Sequence, residues 1–210
     1  MSAREFRNYA EAFLDRSASI AQNFKGQADK IAAVMEILFT AWLKKSWVFI
    51  VGNGGSASTA THFAADLVKT VVEKPGDPGL KAVTFDNGAL NSALINDWGW
   101  EKLFDAQLAT FWEPESVVVA ISVNGGVGSD KVGVYSQNLL RALEFAKKNG
   151  GRTIGFVGDK YAGGKFKDIC DVCVIVPDGS TPQVESFHVL LTHLITFGIK
   201  EKIKKEFGSV

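Results

Sequence analysis

Cysteine and histidine are scarce in this 210-residue chain, and neither an excess of one charge nor a long apolar run is present. The two cysteines, Cys170 and Cys173, stand in "CDVC". They lack the second pair of a structural zinc site and any thioredoxin-like surroundings, so they read as core residues of the strand "DVCVIVP". Lys+Arg and Asp+Glu are both 23, for a formal net charge of zero, which argues against a broad electrostatic grip on nucleic acid. No segment reaches the roughly 18 apolar residues a membrane span needs. The opening "MSAREFRNYAEAFLDR" is charged and amphipathic rather than a signal peptide, so a cytoplasmic location is expected.

What is present is a β-α alternation. Residues 4–45 carry apolar positions at helical spacing and predict two amphipathic helices. Five continuous apolar runs follow: "WVFIVGN", "LKAVTFD", "SVVVAIS", "RTIGFVGD" and "VCVIVPD". Continuity rather than alternation is the mark of strands covered on both faces. Helical patterns lie between and after them, at 56–71, about 100–111, 136–149 and 181–205. The fold class is therefore α/β, a five-stranded mostly parallel sheet flanked by helices. Residues 1–45 form an N-terminal helical extension and 46–210 the α/β domain.

The first strand ends in Asn53-Gly54-Gly55-Ser56, with Ser56 or Ser58 placed to cap the next helix. Glycines there let a ligand approach the amides, and a helix N-terminus favours an anion such as phosphate. The spacing is neither a Walker loop nor a dinucleotide fingerprint, so no nucleotide cofactor is expected. A second exit repeats the pattern: Ser122, Asn124, Gly125 and Gly126 end "AISVNGG", and Ser136 opens "SQNLLRALEFAKK". Hydroxyl and amide donors without an arginine cluster suit a sugar phosphate. The segment 123–135, with four glycines, is a candidate lid or ligand clamp.

His62 and Asp66, four residues apart, share one face of the helix after the glycine turn. Glu185 and His193, on the last helix, stand eight residues apart and so about 12 Å apart along its axis. A carboxylate and a histidine beside a sugar phosphate suit aldose-ketose isomerisation, the carboxylate moving a carbon-bound proton and the histidine moving protons among oxygens. His62, Asp66, Glu185 and His193 also form an oxygen and nitrogen set for zinc or a similar divalent ion.

"VGNGGSASTATHFAADL" resembles the signature of the sugar isomerase (SIS) domain. With "NDWGWEKLFDAQL", "AISVNGG" and "TPQVESFHVLLTHLI", the likeness is to the phosphoheptose isomerases, which convert sedoheptulose 7-phosphate to glycero-manno-heptose 7-phosphate. The resemblance implies substrate contacts at Asn53, Gly54, Gly55, Ser56, Asn96, Asp97, Ser122, Asn124, Ser136 and Glu185. It implies catalytic roles for Asp66, Glu185 and His193, with one zinc ion on His62, Asp66, Glu185 and His193. It further implies a homotetramer with shared active sites, in which Glu185 and His193 need not face Asp66 of their own chain. Departures are Asp66 where the family has glutamate, Glu185 where it has glutamine, and a longer loop in place of Ser-Thr-Ser-Gly-Asn-Ser. Either Asp66 or Glu185 is then the base. The rival readings are an isomerase or sensor for another sugar phosphate and a non-catalytic SIS protein that binds a partner such as a replication initiator. That non-catalytic relative lacks the final-helix histidine present here as His193.

Overall fold

A computed structural model describes residues 1–130 and 133–208. Two helices lead the chain, α1 (Ala3–Phe24) and α2 (Ala28–Lys44). Then come β1 (Trp47–Gly52), α3 (Gly55–Lys69), β2 (Lys81–Val83), α4 (Gly88–Trp98) and α5 (Asp105–Phe111). The second half runs β3 (Val117–Ser122), β4 (Ser129–Asp130), β5 (Gly133–Val134), α6 (Gln137–Lys148), β6 (Arg152–Gly158), α7 (Phe166–Ile169), β7 (Val172–Val176) and α8 (Thr181–Phe207). The main sheet has the order β2-β1-β3-β6-β7, and all its pairings are parallel.

Both faces of that sheet are covered, which is why its strands read as unbroken apolar runs. Val48 and Ile50 enter one core with α2, α3 and α8, whereas Phe49 and Val51 enter the other with α5 and α6. Five residues of α2 are buried, among them Val34 and Leu38 in the same core as the sheet. That helix is therefore part of the globular body. Only Ile20 and Phe24 of α1 are buried. Its second half is tied to the start of α8: Arg16 pairs with Asp178 through two hydrogen bonds of 2.7 and 2.9 Å, and Ser17 donates to Gln183 at 2.9 Å. The thiols of Cys170 and Cys173 pack against Gly155. Burial pushes both upward, Cys173 to about 11, so they are inert core groups.

The chain moves outward from β1 to β2, then crosses back over β1 to lay β3 on its other side. The crevice between the carboxyl ends of β1 and β3 is thus the point where the winding reverses, the usual ligand position in an open parallel sheet. Both glycine-rich exits border it. The longer loop after β3 is gathered into the small antiparallel hairpin β4–β5, whose neck is closed by Tyr135 N–H donating to the Gly128 carbonyl at 2.9 Å. Lys131 and Val132 of the lid candidate lie outside the described residues.

His188 is wholly buried on α8 against Phe156, ring centroids 6.5 Å apart. Burial pushes its pKa down to about 4, only partly offset by the Val157 backbone, and neither ring nitrogen reaches a well-formed hydrogen bond. As pH falls, the unfolded chain, with the ordinary value of 6.5, takes up this proton before the folded chain does. The stability from keeping His188 neutral is intact above pH 6.5 and is lost between 6.5 and about 4. The loss amounts to about 3 kcal/mol. His188→Leu is expected to unfold less readily than the wild type on acidification, narrowing the fall in stability between pH 7 and 4 by about that amount. Urea titrations at the two pH values measure it; an unchanged fall would mean His188 is not the group that charges.

Candidate active site

The β1 exit forms because Gly54 takes φ 56°, ψ −125°, a backbone shape open to glycine, and so turns strand into helix within two residues. The expected serine cap is not used. Gly54 is the N-cap residue, no side chain caps α3, and Ser56 is buried in the first turn with its amide donating to the Asn53 carbonyl at 3.1 Å. Glu185 reaches this turn from α8. A methyl group on residue 55 would lie 2.5 Å from Glu185 Oε1, so glycine is what lets the carboxylate rest on the start of α3. A 200 Å³ cavity lies beside the turn, lined in part by Asn53, Gly54, Thr84, Asp86 and Asn91.

At the β3 exit, Ser122 Oγ accepts from Gly125 N–H at 3.1 Å and lies 3.2 Å from Ser136 Oγ. The hairpin therefore returns the chain so that Ser136 stands beside Ser122. Ser136 holds a left-handed backbone, φ 57°, at the N-cap of α6 without a side-chain cap bond. Such a conformation is costly for a residue with a Cβ, by about 1 kcal/mol or more, and it leaves the hydroxyl aimed at Ser122 instead of at its own helix. Asn124 is half-buried in the same loop, and its carbonyl accepts from Val127.

Above these exits α3 and α8 meet. His62 Nε2 lies 3.5 Å from Asp66 Oδ2, and the rings of His62 and His193 stand edge to face with centroids 4.8 Å apart. One ligand atom from each of His62, Asp66 and His193 falls within 4.8 Å of the others. Asp66 Oδ1 accepts from Thr70 Oγ1 at 3.2 Å, whereas Oδ2 is buried without a hydrogen-bond partner. A buried carboxylate oxygen facing two imidazoles is the environment a cation or a transferable proton would satisfy.

Three of the four expected metal ligands thus converge, and Glu185 lies instead over Gly55. His193 meets Asp66 within a single chain, so bringing these two together requires no neighbouring subunit. Asn96 and Asp97 are exposed at the end of α4, their side chains bonded to each other at 2.7 Å, and do not line the cavity by the β1 exit. Sequence reasoning missed Asp86, which accepts from Thr61 at 3.0 Å and from Thr84, and Asn138, which is fully buried and bonds to Asn53. Neither belongs to a periodic pattern or motif; only the position of Asn138, two residues past Ser136, hinted at the crevice.

The SIS domain family matches residues 12–158. A phosphoheptose isomerase of Nitratiruptor sp. is 36% identical over 154 residues, covering 73% of this chain and 76% of that protein. Another, from Geotalea uraniireducens, is 36% identical over 187 residues, covering 88% and 92%. The solved phosphoheptose isomerase of Neisseria gonorrhoeae superposes with a TM-score of 0.81 at 24% identity over 93% of this chain and 99% of that one, a likeness of fold. With its glycine-lined exits on β1 and β3 and its imidazole-carboxylate cluster between α3 and α8, the chain belongs to the SIS-domain phosphoheptose isomerase family.

Proposed function

We infer that the protein is an aldose-ketose isomerase whose substrate is sedoheptulose 7-phosphate, converted to the glycero-manno-heptose 7-phosphate. The observation that carries this reading is the meeting of Asp66 and His193 from separate helices, beside two hydroxyls paired at a glycine-rich exit. The phosphate rests at Ser122, Gly125 and Ser136, because the β1 turn already carries the Glu185 carboxylate. Glu185, with the cavity walls at Asn53 and Asp86, receives the sugar hydroxyls.

Asp66 Oδ2, lacking any donor, takes the proton from carbon 1 of the ketose. The electron pair left behind forms the carbon 1–carbon 2 double bond as the carbonyl oxygen gains a proton, giving the enediol. His193 carries protons between the two oxygens, and return of the carbon-bound proton to carbon 2 yields the aldose. His62, Asp66 and His193 also fit one zinc ion in ligand type and closeness, and the partnerless Asp66 oxygen supports the fit; with that oxygen on an ion, Glu185 would be the carboxylate left to move the carbon-bound proton. When bound, the ion would supply Lewis-acid polarisation of a carbonyl oxygen.

The protein assembles as a homotetramer in this reading. Leu190, Leu194 and Phe197 make an exposed apolar row on α8 flanking His193, and Phe6, Tyr9 and Leu14 are exposed on α1. A second copy covering these rows would shield the site from water. Asn96 and Asp97, amid exposed Ile95 and Trp98, would then serve a neighbouring site.

His193→Ala is expected to lower kcat by at least about a hundredfold with an unchanged thermal midpoint. Near-normal turnover of sedoheptulose 7-phosphate by the variant would remove His193 from the chemistry, and greater thermal stabilisation of the wild type by another phosphorylated sugar would reassign the substrate. For the metal, elemental analysis of protein equilibrated with zinc and desalted is expected to find one ion per chain in the wild type and less than half as much in His62→Ala. Equal retention by the two would place the ion elsewhere. For assembly, light scattering is expected to give four times the 22.7 kDa chain mass, reduced in Leu194→Glu; a monomeric wild type would refute the tetramer.

A further inference from the structure

We propose that Asn138 is a positioning residue that fixes which end of the Asn53 amide meets the substrate. Its basis is the isomerase reading above, carried to a residue outside the cluster. Asn138 lies in the first turn of α6 and is completely buried. Across the crevice it forms a reciprocal amide pair with Asn53: Asn53 Nδ2 donates to Asn138 Oδ1 at 3.0 Å, and Asn138 Nδ2 donates to Asn53 Oδ1 at 2.8 Å.

The orientation of this pair is set from one side. Leu139 N–H donates to Asn138 Oδ1 at 2.9 Å, and a backbone N–H can only donate. That bond fixes Oδ1 of Asn138, hence its Nδ2, and hence the orientation of Asn53. Turning the Asn53 amide over would set oxygen against oxygen and nitrogen against nitrogen in a buried place. An amide carries two N–H groups and two lone pairs, and the pair uses one of each. Asn53 is half-buried and lines the cavity at the β1 exit. Its second N–H and second lone pair are thus presented there in a defined order, one matching a hydroxyl oxygen and the other a hydroxyl hydrogen. The pair also holds the β1 exit at a fixed distance from the start of α6, beside Ser136 of the proposed phosphate site.

Asn138→Asp tests this with little change of shape. The carboxylate still accepts from Leu139 and from Asn53 Nδ2, and it sits at a helix start where negative charge is favoured. It replaces the donation to Asn53 Oδ1 with an oxygen facing that oxygen, so the pair no longer holds the Asn53 amide in one orientation. Calorimetric binding of sedoheptulose 7-phosphate is expected to weaken by about tenfold, the reach of one hydrogen bond, in Asn138→Asp and likewise in Asn53→Ala. The double variant should bind no worse than Asn53→Ala, because Asn138 acts through Asn53. Losses that multiply in the double variant, or unchanged binding in Asn138→Asp, overturn the proposal; a merely structural role would lower the thermal midpoint without this non-additivity. A second readout needs no ligand: the Asn53 side-chain amide protons should exchange with solvent at least about tenfold faster in Asn138→Asp than in the wild type, followed by NMR. If the wild type fails to bind the sugar phosphate, the isomerase reading falls. The exchange measurement then decides alone, and equal protection in the two proteins overturns the role of Asn138.

Discussion

The site depends first on α8 lying along α3. Phe63 and Leu67 of α3 and Leu191 and Ile195 of α8 are fully buried and share one core. Each such side chain contributes about 1.5–3 kcal/mol on burial. His62 and Asp66 precede Phe63 and Leu67 by one residue each, so the same helical period that buries the apolar pair sets the polar pair along the rim of the contact. His193 stands between Leu191 and Ile195 and arrives at that rim from the other helix. The imidazole-carboxylate cluster is held by hydrophobic packing just beneath it, with its groups left along the rim of the helix contact.

The second constraint joins the two strand exits. A parallel sheet gathers the carboxyl ends of β1 and β3 at one edge but does not fix the loops that leave them. Here the Asn53–Asn138 pair crosses the crevice, and Ser122 and Ser136 meet within the β3 loop. The longer loop between Ser122 and Ser136 leaves this meeting intact because its extra length is spent in a hairpin closed at Gly128 and Tyr135.

These features differ in how far the sequence could announce them. The five strands were legible because both faces are buried and the apolar runs are unbroken. The His62–Asp66 pairing was legible because four residues make one helical turn. The meeting of His193 with Asp66 inside one chain was not, since the angle between two helices is set by packing that no local pattern records. The resting place of Glu185 was not legible for a similar reason: helical rise separated it correctly from His193, but only the missing Cβ of Gly55 explains where its carboxylate lies. Ser136 was found as a helix opener, though its left-handed backbone was invisible, since that conformation is uncommon for serine and is imposed by the hairpin. Helix α4 escaped notice because only Leu94 on it is buried, which leaves almost no apolar period.

Glu185 also gives the site its direction. A helix start with glycines is attractive to phosphate, and the sequence held two candidate starts. One of them carries a carboxylate of the protein itself. At a separation of about 4 Å and an effective dielectric constant of about 20, a phosphate charge placed there would be opposed by roughly 4 kcal/mol per charge pair. The other start offers the Ser122 and Ser136 hydroxyls, with the Gly125 amide donating to Ser122 and no acidic side chain among the described partners of the two serines. In the proposed reading the phosphate end of the sugar goes to β3, its uncharged end would meet Glu185 as a hydrogen-bond acceptor for hydroxyls, and the carbonyl would face the imidazole-carboxylate cluster. Two similar exits are made unlike by a single charge, which opposes a phosphate at one of them and not at the other.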